Sequence, residues 1–143
     1  MLLDDVAARL ESDGVGTVKT SSNTTPGLGW WIYKGATYPS NQDAIVALHE
    51  SPGMAPTREM EDTVGAVVCE NPGLLVQCWH LDYSEARAKA ETVWGKLHNL
   101  NSVTLGSTRY LSIEARQQPF PTGRDDKGRW VIGCNYSVSK ERG

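Results

Sequence analysis

The run Arg129-Trp130-Val131-Ile132-Gly133-Cys134-Asn135-Tyr136-Ser137-Val138-Ser139 decides the fold. Trp130, Ile132, Cys134, Tyr136 and Val138 alternate with Val131, Gly133, Asn135, Ser137 and Ser139, so one set faces a core and the other faces away. This is the pattern of a half-buried antiparallel strand. Upstream, RYLSIEARQ repeats it, with Leu111, Ile113 and Ala115 set against Ser112, Glu114 and Arg116. The intervening PFPTGRDDKG is too long for a two-residue hairpin and is expected to project from the sheet, where partners bind.

Further toward the amino terminus, Ala86, Ala90, Val93, Trp94 and Leu97 form a stripe at helical spacing, predicting a helix from Tyr83 to about Asn99. Asp82 is placed to cap its first amides, Glu85 to reach back, and Glu85 to pair with Lys89 one turn on. GAVVCE and GLLVQCWH read as two strands separated by a turn at Asn71-Pro72-Gly73. AIVALHE, from Ala44 to Glu50, is apolar on both alternating faces, as in a strand covered on both sides. Residues 51–63, SPGMAPTREMEDT, have no sustained period and are expected to form a long loop. GWWIYKGATYPSN suits a hairpin or an extended arm. At the start, Leu2, Leu3, Val6 and Leu10 mark a short amphipathic helix, with Asp4 and Asp5 in its first turn and Gly14 as its stop. The order predicts an α+β fold, in which a mostly antiparallel, mixed β-sheet carries two α-helices on one face, with projecting loops. No repeat or linker divides the chain, so residues 1–143 read as one domain, with 20–43 as an aromatic hairpin or arm insertion.

Composition narrows the function. The chain has 143 residues, enough for one self-sufficient core. Its 14 basic and 17 acidic residues give no global drive toward nucleic-acid phosphates. No run of apolar residues is long enough for a membrane span, and MLLDDVAARL lacks the features of an export signal, so the chain reads as cytoplasmic. Cys69, Cys78 and Cys134 are odd in number and lie in apolar runs, so they read as buried thiols. Cys78 and His80 share a strand face, and Cys69 or Cys134 could join them on a metal, but no Cys-x-x-Cys pair anchors such a site. His49, His80 and His98 are scattered, and there is no Gly-x-Ser-x-Gly elbow. Gly14-Val15-Gly16 and Gly27-Leu28-Gly29 lack the context of a phosphate loop. No catalytic residue, metal or cofactor is assigned.

Strand alternation sends Trp30 and Trp31 to opposite faces, and both are not expected to fit in one small core. An exposed Trp beside Tyr33 suits a protein interface better than a sugar or base, because the chain is acidic. Arg116, Phe120, Arg124, Lys127 and Arg129 form the one basic concentration, broken by Asp125 and Asp126. It is either a solvated hairpin or a subunit contact with Phe120 as anchor and Arg124 pairing a neighbour's carboxylate.

The opening MLLDDVAARL with GVGTV resembles the start of the bacteriophage minor capsid protein or tail terminator family. The blocks ENPGLLVQ, DYSEARAKA, LHNL, ARQQPFP and GRD resemble it further, and their order is similar to the family's. Membership implies a virion protein at the head-tail junction, assembled in the host cytoplasm. It implies a ring of self-copies, six by family analogy, that ends tail-tube polymerisation and joins the major tail tube protein to a head-completion or connector protein. Genomic DNA would pass through the lumen without sequence-specific binding, and no membrane is involved. Loop 51–63 and hairpin 117–128 are the candidate contacts, and with the aromatic run the candidate interface residues are Trp30, Trp31, Tyr33, Arg58, Arg116, Phe120, Arg124 and Asp125. The alternative is a carbohydrate- or host-surface-binding module using exposed Trp and Tyr.

Overall fold

Leu2, Leu3, Val6, Ala7 and Leu10 lie on one side of a 3.6-residue repeat, and helix α1 (Leu2–Ser12) buries all five. Gly14 stops it as expected: its φ of 78° is free of a Cβ clash, and its amide donates to the Glu11 carbonyl at 3.1 Å. The structure, a computed structural model, describes residues 2–20, 29–35, 44–57 and 69–141. After α1 come strands β1 (Thr17–Val18), β2 (Trp31–Lys34), β3 (Ile45–Thr57) and β4 (Cys69–His80). Helix α2 (Tyr83–Leu97) follows, then β5 (Leu100–Leu105), β6 (Thr108–Ala115), β7 (Phe120–Arg124) and β8 (Trp130–Glu141).

The strands form one sheet in the order β1-β2-β3-β4-β8-β6-β5, with β7 also on β8. β1, β2 and β3 run parallel, and every other pairing is antiparallel, so the sheet is mixed and mostly antiparallel as expected. Both helices cover one face. Trp30, Ile32, Val46, Leu48, Leu74, Val76, Cys78, Ile132, Cys134, Tyr136 and Val138 point into that layer with the apolar sides of α1 and α2. Each fully buried Leu or Ile there contributes on the order of 1.5–3 kcal/mol. On the other face Trp31, Tyr33, Ile45 and Ala47 form a second buried cluster with Trp79 against it. AIVALHE is therefore covered on both sides.

Helix α2 ends at Leu97, two residues short of the predicted Asn99. Asp82 accepts the Ser84 amide at 3.1 Å, and Ala86, Ala90, Val93 and Leu97 are buried. Lys89 turns from its predicted partner Glu85 to donate to the Val15 carbonyl at 2.9 Å, over the Trp30 ring. Arg87 and Glu91 form the i,i+4 pair instead, at 3.1 Å.

Four expectations are corrected. Residues 51–57 continue β3 as a strand; the remainder of the expected loop, with Arg58, lies outside the described residues. Asn71-Pro72-Gly73 does not end a strand, because β4 runs unbroken through it. Register shifts between Ser51 and Thr57 absorb the irregularity, and two glycines allow it: a Cβ on Gly53 would strike the Asn71 carbonyl, and one on Gly73 would strike Ser51 Oγ. Strand β2 lies within the sheet between two parallel neighbours, so Trp31–Lys34 is neither a hairpin arm nor free; residues 21–28 and 36–43 lie outside the described ones. In β6, Tyr110 pairs Lys140 while Ser112 pairs Ser139, making Leu111 the extra residue of a bulge. The bulge shifts the inward set, so Tyr110 and Ile113 are fully buried and Leu111 is only half-buried.

Candidate assembly surfaces

The segment expected to project folds back onto β8 instead. β6 and β7 lie end to end along one edge of β8, with Arg116–Pro119 between them, and only the turn 125–129 extends beyond the pairing. Asp125 builds that turn. Its Oδ1 accepts the amides of Lys127 at 3.0 Å and Arg129 at 2.8 Å, while Oδ2 meets Arg129 Nε at 2.7 Å. Burial opposes the charge on Asp125, but these amides and the guanidinium outweigh it and hold the carboxyl below the usual carboxylate range. Gly128, at a φ of 78°, completes the turn.

The rest of β7 is exposed along its length. Phe120 is 37% exposed, and Arg124 sits over the Trp130 ring at 5.1 Å. Tyr83 meets the same ring edge-on at 5.2 Å. Leu81, Tyr83, Trp130 and Arg124 thus gather at the end of the sheet where β4 leaves, α2 begins and β8 starts. Sequence reasoning missed Leu81 and Tyr83. The available signal was Leu81 immediately before the Asp82 cap, a position whose apolar residue ordinarily packs back on the helix but here stays 50% exposed. Arg116 is exposed yet engaged: its Nε donates to Ser137 Oγ at 2.8 Å and its Nη2 to the Pro52 carbonyl at 3.3 Å, tying the end of β6 to the β3–β4 ribbon.

The three aromatics expected to offer an exposed surface are inside. Trp30 is 7% exposed, Trp31 2% and Tyr33 9%. The expectation that both tryptophans cannot be buried fails because the sheet has two covered faces: Trp30 enters the helical layer against His80, and Trp31 enters the second cluster beneath Lys19. Tyr33 lies in that second cluster, and burial raises its hydroxyl above its usual pKa.

Along β1 and β2 lies α1, which also reaches β6, where the Tyr110 hydroxyl donates to Asp5 Oδ2 at 2.7 Å. Lys34 Nζ meets Asp4 Oδ1 at 2.6 Å, and this hydrogen bond and charge hold the Asp4 carboxyl below its usual range. Glu11 accepts the Val18 amide at 2.7 Å. Between these contacts runs a trough of about 450 Å³ floored by Ala7, Ala8 and Val18.

Cys69 is half-buried and Cys78 and Cys134 are buried; all three are free thiols. Desolvation pushes Cys78 up to about 12, leaving it protonated and unreactive at neutral pH. His80, its strand neighbour, lies tilted against the Trp30 ring at 5.4 Å and accepts the Asp82 amide through Nδ1 at 2.9 Å. Among the described residues no group of three or more His, Cys, Asp or Glu could hold a metal ion. No helix among them is long and apolar enough to cross a membrane.

None of the curated proteins compared with the chain matches it. Among solved structures, 13 chains match. One, from the virion of a native gene transfer agent particle, aligns with a TM-score of 0.64 at 14% identity, covering 99% of this chain and 95% of that one. At that identity the likeness shows a shared fold. The family described as bacteriophage tail terminator protein matches residues 9–142. That span takes in α2, every strand and the β7 surface, together with the last turn of α1, and the chain belongs to the bacteriophage tail terminator family.

Proposed function

We propose that this structural virion protein closes with further copies of itself into a ring, six by family analogy, at the head-proximal end of the tail tube. The ring stops addition of the major tail tube protein and offers its other face to a head-completion or connector protein. It assembles in the host cytoplasm, and its work is mechanical, with no catalytic step. The family match over residues 9–142 carries this reading. The geometry supports it: a closed ring needs two different lateral surfaces, and the exposed β7 strand on β8 and the trough between α1, β1 and β2 are two different surfaces of one sheet. A net charge of −3 suits a lumen through which DNA slides without sticking, and a bore lined by Lys and Arg would contradict that part. The carbohydrate-binding alternative loses its platform, because Trp30, Trp31 and Tyr33 are buried.

The test is electron microscopy of particles assembled with and without this chain. Without it, tubes are expected to vary widely in length and to stay detached from heads. Tubes of normal length joined to heads would overturn the reading.

A further inference from the structure

The outer limits of the sheet are not equivalent. At β1 the Val18 amide is already held by Glu11, at 2.7 Å, so this side offers the trough rather than free backbone. At β5 the residue Ser102 has a φ of 50°, a local irregularity in this outer strand. β7 differs from both. Among the described residues it pairs with β8 alone, and all five of its residues are exposed. Pro121 has no amide hydrogen to extend a ladder, so β7 is suited to docking by its side chains rather than to receiving another strand.

The two sides also differ in charge. Asp125 is committed to Arg129, which leaves Arg124 and Lys127 exposed against Asp126 alone at the β7 turn. On α1, Arg9 is paired with Asp13 at 2.8 Å, Asp4 with Lys34 at 2.6 Å, and Asp5 accepts the Tyr110 hydroxyl at 2.7 Å, which leaves Glu11 as the trough's carboxylate with no ion pair among the described residues. Beside β7, a cleft of about 340 Å³ is formed by Trp94, Gln118 and Pro119, among others.

Resting on the ring reading above, we propose that successive copies meet head to tail, with β7 of one copy seated in the α1 trough of the next. Phe120 supplies the apolar anchor against the alanine floor, and Arg124 faces the carboxylate of Glu11 on the neighbouring copy. The occupant is a second copy because the basic, exposed strand and the acidic, concave trough belong to one chain and cannot meet within it. Opposite charges across the contact fix its register and exclude trough-to-trough pairing.

Light scattering of the full chain across a concentration series tests this with Arg124→Glu, Glu11→Lys and an equimolar mixture of the two. Each variant alone should shift the assembly midpoint at least tenfold upward, since the first sets carboxylate against carboxylate across the contact and the second sets cation against cation. The mixture should restore assembly, because each kind of contact in an alternating ring again joins opposite charges, and rescue requires both variants to be folded. Ala8→Arg, at an exposed helix position, should block assembly without disturbing the fold. If the wild-type chain assembles and all variants assemble at its midpoint, this contact is wrong and the ring reading stands. A wild-type chain that stays monomeric at every concentration overturns the ring reading as well.

Discussion

Asp125 grips Arg129 at three points: its amide donates to the Arg129 carbonyl at 3.0 Å, Oδ1 accepts the Arg129 amide at 2.8 Å, and Oδ2 meets Nε at 2.7 Å. Arg129 is only 4% exposed and lies over the Trp79 ring, so this grip joins the β7–β8 turn to the second buried cluster. Asp125→Ala removes the carboxylate and leaves a buried guanidinium without that partner. Loss of one member of a buried pair costs about 3–5 kcal/mol, and partial access to water at the turn places this variant near the lower end. Chemical denaturation should show a lower midpoint with an unchanged slope.

The same carboxylate gives the turn a pH dependence. The folded pKa of Asp125 is depressed below its unfolded value, so its contribution is fully present above that unfolded value, about 4. It is lost as pH falls through the folded value. Thermal melts between pH 6 and pH 2 should show a steeper acid decline for the wild type than for Asp125→Asn. Equal slopes would remove Asp125 from the explanation.

The irregular pairing of β3 with β4 depends on two missing side chains. Gly73→Ala would drive a methyl into Ser51 and the Pro52 carbonyl, and Gly53→Ala would drive one into the Asn71 and Pro72 backbone. Overpacking of this kind costs about 1–3 kcal/mol. Gly53→Ala should be the more damaging, because its methyl makes the nearest approach of the two, onto the Asn71 carbonyl oxygen, and meets backbone alone. Denaturation midpoints of the two variants check the ranking.

These elements also show what could be read in advance. β8 was legible because its period of two is unbroken from Trp130 to Ser139 and its inward set meets a helical layer. α1 and α2 were legible from their apolar stripes. The continuity of β4 was not, because Asn71-Pro72-Gly73 has the composition of a turn, and the extended path depends on glycine at both 73 and the facing position 53. The burial of Trp30 and Trp31 was hidden for a different reason: alternation assigns each a face but does not say that both faces are covered. Of the candidate surface, Phe120, Arg124 and Asp125 were found from charge and composition, whereas Leu81, Tyr83 and the trough at α1 come together only through the sheet order.

Thiol chemistry offers a further check. Burial raises both Cys78 and Cys134, the former to about 12, whereas Cys69 is half-buried. A neutral-pH titration with a thiol reagent should modify Cys69 first, with the other two following only on unfolding. Rapid modification of Cys78 in the folded chain would contradict the packing of the helical layer.

The central claim is that this chain sits as a ring where the tail tube ends. Cryo-electron microscopy of the neck of intact particles tests it most directly. The account predicts a closed ring of this fold between the last tube layer and the head-completion proteins, and density for this chain elsewhere in the particle, or none at all, would contradict it.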